Sequence, residues 1–454
     1  MTVEACSKHS DGKLERGTIA DCEALHSLLA TVSGMFAEWG GTLKSTFSAS
    51  ALSVVKASVA IPSHKGIQDI NSLCRLAFHG GRVEVFDHAP KEWLREYDFT
   101  SSYPWAMTQS LPWEFIGKEE GLSTVKQSLS ICYASVDVPP QWIPPLPYSP
   151  VGGGLFFPTG KWSAWFTQAE LEYAADNCGC SVKVHHSIRY TSARPFAAYV
   201  AKLFADKAQA SGARRSFDKL CLNGSFGKLA QKPESSLLRV FNDSAEGRKF
   251  AKANSGHCKV ISPNDYTAIT EEKMQWPAHT HYAAASFITA YSRILLHKAF
   301  VQAKSLAYGD TDSIHCVRTP ALERGNGEEL GGLKIELDDY QARFYAPKLY
   351  VLMPRNGKPF YASKGFPVSP EDFEALVAGK AVGRRRILAA KSQLRELRQK
   401  KGVPTMLEPE ENMKQWNGYS AKRRALPIGQ TAPWSVQEIL EGKHSEQKSP
   451  LAAL

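Results

Sequence analysis

Two short acidic segments carry the side chains that are best suited to chemistry in this sequence. Asp98 ends an apolar run in Tyr-Asp-Phe-Thr-Ser-Ser-Tyr-Pro, and Asp310 and Asp312 stand in Tyr-Gly-Asp-Thr-Asp-Ser. Carboxylate oxygens are preferred ligands of hard divalent cations, and a pair of such cations can catalyse phosphoryl transfer to a hydroxyl group. Taken singly, Asp98 is more often a turn or cap residue. A solvated hairpin tip could carry the other two acids, although like charges so close together favour a neutralising partner.

The spacing of apolar residues predicts the elements that would position these acids. Residues 83–86 and 94–99 are typical of strands, and apolar residues on both sides of the Gly-Asp-Thr-Asp run predict a hairpin with the acids at its tip. Residues 283–300 repeat apolar side chains at helical spacing, which predicts a half-buried helix before that hairpin. Residues 166–176 and 196–210 also have helical periodicity.

Composition sets the class of protein without identifying it. A chain of 454 residues with 43% hydrophobic residues can bury one large core or several smaller ones, so whole-chain disorder is excluded and a protein of several parts is expected. The formal net charge of +10 favours a polyanionic partner.

Cysteine usage and hydropathy bear on location. The nine cysteines are an odd number without the regular spacing of a disulfide framework, which favours a reducing compartment. Cys178-Gly-Cys180 invites a zinc interpretation, but its spacer is shorter than usual, so a structural role is favoured. Without a membrane-span or secretion pattern, we expect a protein of the cytoplasm that is neither secreted nor membrane-bound.

The acidic segments resemble two motifs of family-B DNA polymerases. Residues 98–104 resemble motif A, and residues 308–313 resemble motif C. Between them, Lys-Leu-Cys-Leu-Asn-Gly-Ser-Phe-Gly at residues 219–227 is similar to motif B. This sequence departs from the motif B pattern at two positions, with Gly224 where Ser is usual and Phe226 where Tyr is usual.

Further matches extend the resemblance to the protein-primed branch of that family, over residues 74–366. Phe-His-Gly-Gly at residues 78–81 resembles the Tyr-x-Gly-Gly element before motif A, which contacts template. Lys-Leu-Tyr at residues 348–350 resembles the Lys-x-Tyr motif that steadies the primer terminus, and residues 287–293 resemble the helix that precedes motif C. The resemblance implies template-primer DNA and dNTPs as partners, with a terminal protein as primer.

The resemblance also implies roles for individual residues. Asp98, Asp312 and the backbone carbonyl of Phe99 would hold two Mg²⁺ ions, with Mn²⁺ accepted in their place, and Asp310 would support metal or primer binding. The catalytic residues would be Asp98, Asp310, Asp312, Lys219 and Lys348. DNA would be contacted by Phe78, Gly80, Gly81, Tyr308, Thr311, Lys348 and Tyr350.

The incoming nucleotide would meet residues of motifs A and B. Tyr103 is expected to act as a steric gate against a ribose 2′-hydroxyl, and Lys219 to meet triphosphate oxygens. Lys207 and Arg215 precede Lys219 by twelve and four residues, which places all three near one face if the helix is continuous. The expected nucleotide-binding residues are Phe99, Tyr103, Lys207, Arg215, Asn223, Phe226 and Gly227.

The expected fold is α+β, a right-hand polymerase with an antiparallel palm sheet backed by helices, helical fingers and a thumb. The predicted parts are 1–75, an exonuclease-like remnant; 76–150 and 275–366, palm; 151–194, an insertion for terminal protein; 195–230, fingers; 231–274, an insertion for strand displacement; and 367–454, thumb and tail.

Asp21 matches the third exonuclease motif, so proofreading is expected to be absent or supplied by a separate exonuclease chain. Residues 380–401 hold nine Lys or Arg and one Glu, and their pattern predicts a thumb helix along the duplex.

The function expected from these observations is template-directed addition of dNMP to a 3′-hydroxyl, in replication of a viral or mobile genome with protein priming. Two alternatives remain open. One is a polymerase that works without a primer or copies RNA. The other is a replication subunit that binds DNA without catalysis.

Overall fold

The fold was analysed in a computed structural model of the chain. The structure describes residues 11–62, 66–122, 128–151, 153–241, 244–253, 258–262, 267–365, 367–386, 410–414, 416 and 422–446.

In the described part of the chain, seven strands form an antiparallel sheet in the order β1-β10-β11-β2-β12-β13-β14. The strands are β1 (Val83–Val85), β2 (Lys91–Phe99), β10 (Lys304–Asp310), β11 (Ser313–Val317), β12 (Leu333–Ala346), β13 (Leu349–Pro354) and β14 (Phe360–Ser363). The predicted strand at 94–99 and the predicted hairpin around the Gly-Asp-Thr-Asp run are confirmed. They lie side by side, because β2 pairs with β11.

One long helix, α9 (Tyr282–Phe300), supports this sheet from behind. The sequence predicted a half-buried helix, but α9 is buried on nearly every side. It packs against three other helices and strand β3 (Leu111–Glu120), so its small residues, such as Ala284 and Ala285, are covered as well. The three helices are α3 (Gln68–Leu76), α4 (Ser102–Met107) and α5 (Gln168–Cys178).

A second sheet of four strands has the order β3-β6-β4-β5. Its strands include β4 (Ser128–Val138), β5 (Gly160–Thr167) and β6 (Ser181–Ala193). It takes strands from both sides of the boundary that the sequence analysis placed at residue 150. The helix expected at 166–176 begins two residues later, because Phe166 and Thr167 end β5 and the Thr167 hydroxyl caps α5.

The region predicted as fingers is a pair of helices, α6 (Ala197–Gln209) and α7 (Gly212–Gly224). The helix is therefore not continuous from Lys207 to Lys219. The break at Ala210 and Ser211 adopts extended backbone, and Gly212 follows with a φ of +54°. The two helices pack against each other, and α7 also packs against α2 (Phe47–Ser58).

Residues 234–274 form a small unit with its own three-stranded sheet, in the order β7-β9-β8. It contains β7 (Glu234–Phe241), α8 (Ser244–Ala253), β8 (Cys258–Ser262) and β9 (Thr267–Met274). This unit separates the α6–α7 pair from α9 in the chain.

The structure after residue 367 differs from the helix that the sequence predicted at 380–401. Helix α10 (Pro370–Val377) is followed by strand β15 (Val382–Arg386), which pairs with β16 (Glu410–Lys414). The predicted helix at 380–401 is thus wrong for residues 382–386, because pairing with a distant strand overrides local helical pattern. The rest of that prediction, residues 387–401, lies outside the described residues.

Residues 422–446 return to the seven-stranded sheet. They contain β17 (Arg424–Ala425), β18 (Thr431–Ala432), α11 (Val436–Leu440) and α12 (Lys443–Glu446). The Thr431 N–H donates to the Phe86 carbonyl at 3.1 Å, so this segment covers the edge strand β1. The Arg423 side chain is fully buried there and contacts Glu84 at 3.7 Å.

The N-terminal part is helical, with α1 (Asp11–Glu38) followed by α2 and α3. Asp21, the expected exonuclease remnant, is exposed on α1. None of the helices in the described ranges combines the length and the apolar character needed to cross a bilayer.

Candidate active site

Asp98 and Asp312 lie at adjacent strand ends of the seven-stranded sheet. Asp98 is paired with Ser313 of β11, the residue that follows Asp312. The Phe99 N–H donates to the Asp312 carbonyl at 2.8 Å. Asp98, Phe99 and Asp312 line one cavity of about 630 Å³. The structure therefore brings together the residues for which the sequence predicted metal binding.

The hairpin tip is fixed by backbone contacts. Thr311 adopts a φ of +59°, and its N–H donates to the Arg82 carbonyl at 2.7 Å. Gly81 lies directly against this tip, since a Cβ added there would stand 2.7 Å from the Thr311 hydroxyl and 3.0 Å from that of Tyr103. The predicted Gly-Gly element thus packs on motifs A and C.

Asp310 is held by neighbours inside the protein. Lys348 Nζ donates to both carboxylate oxygens at 2.8 Å, and the Tyr308 and Thr311 hydroxyls each donate to one of them at 3.0 Å. The Tyr350 ring lies 5.2 Å from that of Tyr308. The residues for which the sequence predicted primer contacts form one cluster, in which Asp310 orients Lys348.

Ionising Asp98 and Asp312 costs free energy in the metal-free protein. Burial raises the pKa of Asp98 to about 6, with Lys334 opposing that rise. Burial raises the pKa of Asp312 to about 7, and the nearby negative charges of Asp98 and Asp310 raise it further. A raised pKa means that the ionised pair lacks enough positive charge around it, and a bound divalent cation would supply that charge.

The donor set fits magnesium through two carboxylates and one main-chain carbonyl, that of Phe99. Within the ranges that the structure describes, no group of three or more His, Cys, Asp or Glu side chains converges as a metal site. Asp310 is engaged by Lys348, whereas Asp98 and Asp312 both line the cavity.

Basic residues of the predicted fingers also line the cavity. Lys207, Arg215 and Lys219 all line it, although they come from two helices rather than one. Lys207 Nζ donates to the Ser101 hydroxyl at 3.0 Å, and Arg215 Nη1 donates to the Lys207 carbonyl at 3.1 Å. Folding α6 back on α7 therefore gathers the same three charges that a continuous helix would have aligned.

Two aromatic residues that line the cavity pack against each other. The Tyr103 and Phe226 ring centroids are 4.3 Å apart, so a motif A residue packs on a motif B residue. Burial raises the pKa of Tyr103 to about 12, so its hydroxyl is neutral at physiological pH. Asn223 also lines the cavity, whereas Gly227 is not among its lining residues.

Two buried charges behind the site were missed from the sequence. Arg293 of α9 donates to the Gly80 carbonyl at 2.9 Å and to Glu170 of α5 at 2.7 Å, and both side chains are almost fully buried. Arg293 thereby ties the Gly-Gly element to α9. The available signal was an arginine in the middle of a helix whose other basic residues, His297 and Lys298, lie in its last turn.

Two more cavity residues, Glu328 and Lys334, were also missed. Lys334 lies on β12 directly beside Asp98. No local motif marks it, because its position depends on how β12 pairs with β2.

Comparisons with known proteins identify the family and the fold. The sequence model of the family described as DNA polymerase type B, organellar and viral, matches residues 18–306. The protein named "Probable DNA polymerase" of Podospora anserina is 26% identical over 318 residues, which cover 62% of this chain and 26% of that protein. The DNA-directed DNA polymerase of Enterobacteria phage PRD1 is 25% identical over 387 residues, covering 79% of this chain and 63% of the phage protein. This chain thus spans about a quarter of the first relative and less than two thirds of the second.

Solved structures show the same fold. Phi29 DNA polymerase in complex with primer-template DNA and incoming nucleotides matches with a TM-score of 0.61 at 18% identity, over 82% of this chain and 68% of that chain. Phi29 DNA polymerase with single-stranded DNA matches with a TM-score of 0.56 at 18% identity, over 76% of this chain and 64% of that one. The fold is accordingly the right-hand polymerase fold, and it contains the seven-stranded antiparallel sheet. With a family model that matches more than half of its length, the chain belongs to the type B DNA polymerases of organelles and viruses.

Proposed function

We propose that the chain is a template-directed DNA polymerase that adds dNMP to a 3′-hydroxyl with two Mg²⁺ ions. The observation that carries the proposal is one cavity of about 630 Å³ that is lined by Asp98 and Asp312 together with Lys207, Arg215 and Lys219. The acids suit metal ions, and the basic residues suit a triphosphate.

In the proposed reaction, the primer 3′-oxygen bonds to the α-phosphorus of the dNTP and its proton is lost. The bond from that phosphorus to the β-phosphate bridging oxygen breaks, and pyrophosphate leaves. Bound Mg²⁺ would activate the attacking oxygen and neutralise charge on the leaving group. Asp98, Asp312 and the carbonyl of Phe99 would hold the ions, and Mn²⁺ would be accepted in place of Mg²⁺.

The chain's own residues bind and orient the reactants. Lys207, Arg215 and Lys219 neutralise the triphosphate. Tyr103, held by Phe226, excludes a ribose 2′-hydroxyl because no space remains for the extra oxygen. On the DNA side, Lys348 and Tyr350 hold the primer terminus, and the Gly-Gly element contacts the template strand. Phi29 DNA polymerase, which shares the fold, has been captured with primer-template DNA and nucleotides.

We also propose that a terminal protein supplies the first hydroxyl, in replication of a viral or mobile genome. The family is organellar and viral, which supports a genome of that kind. We expect the insertion for terminal protein at 151–194, which contains β5, α5 and β6, and the insertion for strand displacement at 231–274, which contains β7 to β9. Polymerisation without a primer, or on RNA, uses the same acids and is an outcome of the experiments below.

A non-catalytic DNA-binding subunit is the less favoured alternative. Such a subunit has no need for two acids with raised pKa values in a cavity opposite basic residues. Perturbed acids in a cavity are typical of catalytic sites.

Primer extension with Mg²⁺ tests the polymerase proposal. We expect wild type to extend a DNA primer on a DNA template, and Asp312→Asn to lose about a thousandfold or more in rate, because a metal ligand is removed. Asp339→Asn is the matched control, since Asp339 is an exposed acid of β12 paired with Arg355 and outside the cavity. Extension by Asp312→Asn at the wild-type rate would refute the metal assignment.

Protein priming needs a separate assay. A labelled dNTP is supplied with template and a purified candidate terminal protein, without any oligonucleotide primer. Label that becomes covalently attached to the candidate supports the proposal. Label that enters only pre-existing DNA primers, or appears in free DNA made without the candidate, contradicts it. RNA templates in parallel reactions report the RNA-copying alternative.

A further inference from the structure

Lys334 is a cavity residue without a role in the reaction as described so far. It sits on β12, and the strand register places it directly beside Asp98 on the side away from β11. It lines the same cavity as Lys207, Arg215 and Lys219, but it comes from the palm and not from the fingers.

The Lys334 side chain is restrained by an acid on its own strand. Its Nζ forms an ion pair with Glu336, which occupies the irregular step of β12 between Ile335 and Leu337. About a third of the Lys334 side chain is exposed, so the ammonium can be reached from the cavity. An ion pair that is this exposed contributes little to stability, so Lys334 can exchange Glu336 for another anion at small cost.

The charges around the cavity show what kind of anion would attract it. Lys334, Lys207, Arg215 and Lys219 line one cavity, so the palm lysine and the fingers bases share a common space. Burial lowers the pKa of Lys207, and the positive charges of Arg215, Lys219 and Lys334 lower it further. Glu328 is the acid that opposes them there. Converging basic residues that repel one another are stabilised by a multivalent anion such as a triphosphate.

We propose that Lys334 is a phosphate-binding residue of the palm. Its ammonium breaks the ion pair with Glu336 and contacts the triphosphate of the incoming nucleotide from the side opposite the fingers. The same contact holds pyrophosphate after the bond to the α-phosphorus has broken. This inference rests on the proposed polymerase function, because the anion is the dNTP of that reaction.

The test is steady-state primer extension with the full chain, with dNTP as the varied substrate and inorganic pyrophosphate as inhibitor. Lys334→Gln should raise the KM for dNTP about tenfold and weaken inhibition by pyrophosphate by a similar factor. Lys334→Arg should restore most of both, since it keeps the charge. Lys304→Gln, at an exposed lysine of β10 outside the cavity, should behave as wild type.

Two further readouts separate this role from a structural one. If Lys334 served only to neutralise Asp98, Lys334→Gln would shift the Mg²⁺ concentration for half-maximal rate and leave the KM for dNTP unchanged, and that outcome would overturn the proposal. Glu336→Gln releases the lysine and should lower or preserve the KM for dNTP, so a marked rise would also overturn it. Equal midpoints of thermal unfolding for wild type and the variants establish that they are folded.

The inference and the proposed function can fail separately. Extension by wild type that is lost in Asp312→Asn supports the function whatever Lys334 does. If wild type extends and Lys334→Gln matches it in both dNTP KM and pyrophosphate inhibition, only the inference falls.

Discussion

Folding disfavours the ionised forms of Asp98 and Asp312 in the metal-free protein. Both acids are half-buried, and burial with neighbouring negative charge raises their pKa values to about 6 and 7. The folded protein therefore binds more protons at these sites than the unfolded chain does, between about pH 4 and pH 7. In metal-free protein, the stability from these groups is greatest at low pH and falls as the pH rises through that window.

Asp312→Asn should accordingly stabilise the metal-free protein at pH 8. We expect a gain of roughly 2 kcal/mol in unfolding free energy, because the substitution removes one of two neighbouring buried charges. Urea unfolding with a chelator present, at pH 5 and pH 8, measures it. The gain should shrink at pH 5, and Asp339→Asn should show no such change. A variant less stable than wild type at pH 8 would show that the charges are better compensated than the structure indicates.

Tyr103 should control the choice of sugar. Tyr103→Val removes the ring that packs on Phe226, and we expect the ratio of rNTP to dNTP incorporation to rise about tenfold or more. Single-nucleotide incorporation kinetics with each substrate measures the ratio. Tyr133→Val, which removes an aromatic ring from β4 outside the cavity, is the control. An unchanged ratio in Tyr103→Val would mean that another residue excludes the ribose.

At the scale of elements, the Gly-Gly segment and the β10–β11 hairpin meet without space for a side chain at Gly81. A Cβ there would stand within 3.0 Å of Thr311 and Tyr103, while a Cβ at Gly80 would meet nothing within 4 Å. The two adjacent glycines of this motif therefore have different steric requirements. Gly81 permits close packing, whereas Gly80 leaves its surface open.

Gly81→Ala should therefore destabilise the protein and Gly80→Ala should not. We expect a loss of about 1 to 3 kcal/mol for Gly81→Ala from the forced displacement of the hairpin tip, and less than about 1 kcal/mol for Gly80→Ala. Chemical unfolding without DNA measures both, so that contacts with nucleic acid do not enter. Equal losses would mean that the tip yields freely at Thr311.

The elements also show what local pattern can and cannot predict. The hairpin at the Gly-Asp-Thr-Asp run and the helix at 283–300 were predicted because their apolar spacing and turn residues are local signals. Lys334 was missed because only the pairing of β12 with β2 places it beside Asp98. The helix predicted at 196–210 matches α6 to within one residue at each end. The condition that the helix continue to Lys219 is not met, because Ser211 and Gly212 interrupt it. The strand at 382–386 depends on a partner at 410–414, which no nearby residue reveals.

At the scale of the whole molecule, residues 422–446 connect distant parts of the chain. Arg423 is buried between the Phe86 ring, 4.5 Å from its guanidinium, and the Trp142 carbonyl, to which it donates at 2.8 Å. It also contacts Glu84, which forms a second buried ion pair with Arg82 at 2.6 Å. Since the Arg82 carbonyl accepts from Thr311, the segment supports the strand on which the motif C tip rests.

Arg423→Met should cost much more stability than Arg424→Met. We expect a loss of about 3 to 5 kcal/mol for Arg423→Met, because its buried partners lose their charge-assisted contacts. Arg424 is about half exposed and forms an ion pair with Glu438 at 3.0 Å. Its replacement should therefore lower the unfolding free energy by about 1 kcal/mol or less. Denaturant titration of both variants measures the difference. Similar losses would mean that the buried network is replaceable by apolar contact.

The hydrogen bond between Thr431 and Val85 has a consequence for folding during synthesis. The Thr431 hydroxyl donates to the Val85 carbonyl at 3.0 Å across 346 positions of sequence. A growing chain on the ribosome will therefore have released both acidic segments long before the residue that shields β1 has been made. Until then the nascent seven-stranded sheet carries an open strand edge, where another chain could pair. Synthesis of residues 422–446, rather than of the acidic segments, is therefore the step that covers this edge.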